Sequence, residues 1–209
     1  MPLSNLHLTT IEITHSLTSP EIASILTHLG PNMIQSMADH TFIHRTRLIK
    51  PMLSYDAAAI ALSFVPAAGE SLPSRKPSTS ATAAAVTSSN RTKEHDAFTY
   101  HHLRRSLYNL ASSTGVTVDS RYIVPSSHIT IGRFLTQTDH DTPEKMSAFL
   151  ARIEKINEWL REEFWPSSST DEKETWNGEW IVGQEKGLDC REGALWYGGG
   201  RTVRLGKGF

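Results

Sequence analysis

The spacing of apolar residues changes several times along this chain, and each change marks a predicted element. Leu6 to Thr14 (LHLTTIEIT) is rich in Ile and Thr and predicts a strand. Ser19-Pro20-Glu21 then offers a capping hydroxyl, a proline at the first helical position and an acid in the first turn. Ile22, Ile25, Leu26 and Leu29 follow at helical spacing, and Gly30-Pro31 stops the run. Met33, Ile34 and Met37 extend the helical pattern past that break. Thr41 to Lys50 and Asp56 to Val65 predict two strands joined by Pro51 to Tyr55. In the second of these, Ala58, Ile60, Leu62 and Phe64 alternate with Ala57, Ala59, Ala61 and Ser63, a face small enough for another backbone to approach.

Residues 69–92 break the pattern. Ser, Thr, Ala and Pro dominate, and burial of Leu72 and Val86 alone does not offset the entropy of ordering such a stretch. It reads as a flexible insertion within a single domain covering 1–209. Helical spacing returns from Asp96 to Ser113 through Phe98, Leu103, Leu107 and Leu110, with Gly115 as terminator. Arg121 to Val124 and Ser127 to Leu135 predict strand, interrupted at Pro125. Thr142-Pro143-Glu144 repeats the helix-start chemistry, and Met146, Phe149, Leu150, Ile153, Ile156 and Leu160 carry a helix to about Phe164. From Trp176 onward, short apolar stretches separated by glycine predict hairpins that include Trp180 to Val182 and Leu195 to Tyr197. A histidine strand followed by a capped helix thus occurs twice, over 6–29 and 127–164. The repetition predicts a pseudo-symmetric, two-lobed α+β protein.

Composition narrows the function classes. The 209 residues, 38% of them hydrophobic, suffice for a sizeable core. With 21 Lys+Arg against 22 Asp+Glu, the net charge of −1 argues against coating nucleic acid or an anionic membrane by charge alone. One cysteine, Cys190, excludes a disulfide framework and a multi-cysteine zinc site, and reads as a small buried hydrophobe. No apolar run approaches the roughly 20 residues that span a bilayer. The opening MPLSNLHLTT lacks the basic and apolar regions of a secretory signal. The expectation is a soluble intracellular protein, cytoplasmic or nuclear, without a membrane partner and monomeric.

The ten histidines carry the candidate chemistry. His7-Leu8-Thr9-Thr10 and His128-Ile129-Thr130-Ile131 each place a histidine and a threonine two apart on a predicted strand, hence on one face. If the two strands lie side by side, two imidazoles and two hydroxyls converge. One imidazole then takes a proton from an attacking oxygen while the other protonates a leaving oxygen, and the hydroxyls donate to phosphate oxygens. Such chemistry requires no metal. His44-Arg45-Thr46 and His140-Asp141-Thr142 share the minimal pattern, so four of the ten histidines satisfy it. Thr142 is better explained as a helix cap, and His44 as an exposed or substrate-edge residue with Arg45 and Arg47 on the opposite strand face. Arg133, by simple alternation, falls on the face opposite His128. YHHLRR reads as a solvated basic face, and His101-His102 lacks a third metal ligand. The glycine run 198–200 lacks the following helix of a phosphate loop and reads as a hairpin turn, beside which Tyr197 is a candidate for stacking on a nucleobase.

The motifs HLTT and HITI resemble the paired H-x-T-x signatures of the 2H phosphoesterase superfamily, which includes cyclic nucleotide phosphodiesterases and 2′-5′ RNA ligase-like proteins. The resemblance covers the chain from the first motif to the hairpins after the second, outside the 69–92 insertion. It departs from the family at Thr10, where a hydrophobic residue is usual, and in the short stretch ahead of His7. The resemblance implies a bilobal α+β fold in which two antiparallel-rich sheets line a central cleft, with helices outside. It further implies hydrolysis of 2′,3′-cyclic phosphates of nucleotides or RNA ends without cofactor or metal. By motif position, His7 and His128 would be the acid/base pair and Thr9 and Thr130 the phosphate donors. A catalytically silent RNA-end or nucleotide-binding module of the same fold and a 2′-5′ RNA ligase are the alternatives.

Overall fold

A computed structural model of the chain describes residues 2–68, 96–120, 127–165, 178–194 and 200–209. The insertion, the strand expected over 121–124, and Tyr197 with its stretch 195–197 lie outside these. The described chain is α+β, and its elements are α1 (Ser19–Ala38), α2 (His40–Ile43), β1 (Arg47–Tyr55), β2 (Ala59–Pro66), α3 (Tyr100–Ser113), β3 (Ser127–Arg133), α4 (Pro143–Phe164), β4 (Trp180–Ile181), β5 (Asp189–Glu192) and β6 (Arg201–Leu205). No described helix is long and apolar enough to cross a membrane.

Helix α1 begins one residue earlier than its cap was expected. Thr18 is the N-cap, and its backbone N–H donates to the Glu21 carboxylate at 2.7 Å in a capping box. Those hydrogen bonds from Thr18 hold the Glu21 pKa below its usual range. Gly30 does not end the helix but kinks it. At φ +73° and ψ 153° it takes a conformation open to glycine, and the helical path resumes at Pro31. Leu29, Ile34 and Met37 from both halves reach one core, where they meet Leu48 of β1 and Tyr100, Leu103, Leu107 and Ala111 of α3. Burying such large apolar side chains stabilises the fold by roughly 1.5–3 kcal/mol each relative to exposure.

The main sheet is antiparallel, in the order β3-β2-β1-β4. Two expectations fail around β1. Residues 41–46 are not strand, because α2 and a short connection occupy them. Pro51 to Tyr55 is not a connector but the second half of β1. A proline is tolerated there because the register slips between Ile49 and Met52, with Lys50 at φ +55° in the bulge. Among the described residues, no strand pairs with this side of β1 beyond Leu48, since β4 pairs only with Arg47 and Leu48. Helix α4 covers that edge. The Asn157 amide accepts from the Leu53 N–H at 2.7 Å and donates to the Leu53 carbonyl at 3.1 Å, while the Trp165 indole N–H donates to the Pro51 carbonyl at 2.9 Å. The side-chain amide thus takes the place of a neighbouring strand.

Trp180 to Val182 is therefore no hairpin of its own but an edge strand on β1. The C-terminal hairpin is β5–β6, whose pairing of Glu192 with Arg201 brackets the glycine run. It packs tightly on α1. A Cβ at Gly206 would lie 1.9 Å from the Ala38 carbonyl oxygen, so only glycine fits. Cys190 on β5 packs against the core, and burial, followed by Asp189 and Glu192, pushes its thiol pKa up. At the head of β1, the buried Arg47 guanidinium makes a two-pronged pair with Asp96 (3.2 and 2.5 Å) and lies 3.3 Å from Glu179. The sequence marks Arg47 only as lying opposite His44, and its burial comes from packing.

Candidate functional site

The two histidine motifs meet through one antiparallel bridge, Leu8 with Ile129. The expected strand over Leu6 to Thr14 is otherwise absent. The segment runs without a ladder, tied further along by the Asp119 N–H donating to the Ile13 carbonyl at 2.8 Å. The bridge still dictates the geometry of its neighbours. Residues that face each other in an antiparallel pair project to the same side, and their chain neighbours project to the other. Leu8 packs into the core. His7 opposite Thr130, and Thr9 opposite His128, therefore share the face turned away from it. Directly opposed Cβ atoms in such pairs lie about 4.5–5.5 Å apart, and diagonal ones, as for His7 and His128, about 7–8 Å.

The same face continues across the sheet. Ser63 of β2 is paired with His128 and Ala61 with Thr130, so small side chains flank the motif. The Ser63 hydroxyl lies 2.5 Å from that of Ser54 on β1. Arg133 joins this face, contrary to the alternation expected from sequence. The register passes from Ala61–Thr130 to Ile60–Gly132, leaving Ile131 as an extra residue. That bulge reverses the parity of β3, so Arg133, paired with Ala59, lies on the side of Ala61, Thr130 and His128.

The two imidazoles sit in different surroundings. His7 Nδ1 is 2.8 Å from the Asn5 carbonyl oxygen, which can only accept. Nδ1 therefore carries a proton and Nε2 is the ring atom left for chemistry. His128 is partly buried, and burial is the main cause that lowers its pKa. The positive charges of Arg104 and Arg133 lower it further, as does His7, while Asp56 opposes them. The neutral form of His128 is thus favoured, and cationic groups surround it. Among the described residues, no group of three or more His, Cys, Asp or Glu is disposed to hold a metal ion.

Tyr100, which the sequence reading placed on a solvated basic face, is wholly buried on α3 behind the first motif. Its hydroxyl donates to the Thr9 carbonyl at 3.1 Å, and the Thr10 and Arg104 side chains act on it. Burial pushes the Tyr100 pKa up to about 12, against the pull of Arg104 and Thr10, so the hydroxyl keeps its proton. No local motif signals this contact, because it joins residues 91 positions apart.

The other histidine-threonine sequences make packing and capping contacts. His44 lies past the end of α2, its ring 4.6 Å from that of His40 and 5.1 Å from that of Phe98, and the Arg45 guanidinium stands 4.1 Å over the Phe209 ring. His140 packs against Phe134 and Phe149, while Thr142 caps α4 by accepting from the Lys145 N–H. His102 Nδ1 accepts from the Thr99 N–H at 3.1 Å, which makes it a cap of α3. No family model, curated protein or solved structure matches this chain.

Proposed function

We propose that the chain is a metal-independent phosphodiesterase of the 2H type that opens 2′,3′-cyclic phosphates of nucleotides or RNA ends. The observation that carries this reading is the Leu8–Ile129 bridge, which puts both histidine-threonine pairs on one face. The phosphoryl group lies between the imidazoles. Thr9 and Thr130 donate to its non-bridging oxygens, and the positive charges of Arg104 and Arg133 favour an anion there. His128, held towards its neutral form, takes a proton from the attacking water as the new P–O bond forms. His7 delivers its Nε2 proton to the ribose oxygen as the old P–O bond breaks, leaving a phosphate monoester and a free hydroxyl. Proton exchange with solvent resets the pair.

On this reading the fold is bilobal. The order of motif, helix and strand occurs once as 6–14, α1 and β1 and again as β3, α4 and β4, and the two histidine motifs meet where the halves join. The test is turnover of nucleoside 2′,3′-cyclic phosphates by the full chain in EDTA. Turnover with release of a monoester is the expected result. Binding of a non-hydrolysable cyclic analogue without turnover identifies instead a silent nucleotide-binding module, and joining of 5′-hydroxyl RNA to a cyclic phosphate end identifies a 2′-5′ ligase.

A further inference from the structure

The first motif has little regular structure to hold it. Leu8 alone is bridged to β3, and the residues around it lack a strand ladder. Its register must therefore come from elsewhere, and the Tyr100 hydroxyl meets it at the residues where register matters. A phenol has one proton to give and two lone pairs to offer. The proton goes to the Thr9 carbonyl. The backbone of Thr9 thus has a fixed partner on a helix packed into the core.

We propose that Tyr100 is a positioning residue for the reaction: through the Thr9 carbonyl it holds His7 and Thr9 in register with Thr130 and His128. It does not touch the substrate. The same turn of α3 serves the second motif, because Arg104 acts electrostatically on both the Tyr100 hydroxyl and His128. One helix turn therefore reaches both halves of the site. The proposal rests on the phosphodiesterase reading for its kinetic consequence, but not for its structural one.

Tyr100→Phe keeps the buried ring and removes the hydroxyl. In the full chain it is expected to lower kcat for cyclic-phosphate hydrolysis by about 10–100-fold, the scale of a small misplacement of reacting groups, with KM changed by less than about twofold. The backbone cross-strand NOE between Leu8 and Ile129 is expected to weaken in the same variant. Tyr108→Phe, on an exposed part of the same helix, leaves both measurements unchanged. Wild-type kcat together with an intact NOE in Tyr100→Phe overturns the proposal. If the wild-type chain turns over no cyclic phosphate, the enzymatic reading falls, and the NOE still decides whether Tyr100 sets the register. If Tyr100→Phe does not fold, Thr10→Val takes its place. It removes a side chain that acts on the same hydroxyl, and an unchanged NOE and kcat there overturn the proposal.

Discussion

Leu8 faces Ile129 across a single antiparallel bridge, and this pairing decides where four polar side chains point. Slipping either partner by one residue would turn one motif to the opposite side of the pair and separate the imidazoles. The proposed phosphodiester chemistry depends on this register more than on any regular strand.

Removal of either imidazole tests the arrangement directly. His7→Ala and His128→Ala are each expected to lower the rate of cyclic-phosphate hydrolysis by roughly 10²–10⁴, while far-UV circular dichroism stays that of the wild type. The double variant is expected to lose less than the product of the two, because both groups serve one transition state. Near-wild-type rates in both single variants would remove the two-histidine mechanism.

With His128 as the proposed base, its surroundings set the acid side of the pH profile. Burial and nearby arginines lower its pKa, so the neutral base persists to more acidic pH than an ordinary histidine allows. The acid limb of kcat/KM should fall below about 6.5, the unperturbed histidine value. Stability follows the same sign. The folded chain binds fewer protons at His128 and at His40, whose pKa is lowered by burial and by His44, than the unfolded chain does. Unfolding free energy is therefore expected to decline as pH drops from about 6.5 towards the lowered folded-state values, and to be insensitive to these groups above it. Urea titrations at pH 7.5 and 5.5 measure the difference, and His40→Gln should shrink it.

Arg133 is brought to the histidine face by the Ile131 bulge. Arg133→Ala is expected to reduce kcat/KM by about tenfold or more, the scale of a hydrogen bond to a charged group, and to flatten the dependence of the rate on salt. An unchanged salt dependence would mean that the substrate anion does not sense this charge.

Arg47 and Asp96 test the fold rather than the chemistry. Their side chains are 1% and 3% exposed. Asp96→Ala leaves the guanidinium buried with one carboxylate fewer, at an expected cost of about 3–5 kcal/mol in unfolding free energy. A loss below about 1 kcal/mol, typical of surface pairs, would show that water reaches the site.

Local chemistry along the chain was enough to locate α1, α3 and α4, because caps, prolines and helical spacing act between residues a few positions apart. The twin motifs were equally legible, and so was the helix that follows each. Pairing was not. Thr41 and His44 looked like strand because β-branched and aromatic residues favour it, yet these positions became a helical turn and a connection beside the core. Pro51 looked like a breaker, and a bulge absorbed it. Which residue Leu8 pairs with, which way Arg133 points, and where the Tyr100 hydroxyl bonds were decided only by register and by the packing of α3. Those outcomes depend on contacts between residues far apart in the chain, where a shift of one position reverses a face, and no short stretch of sequence contains that information.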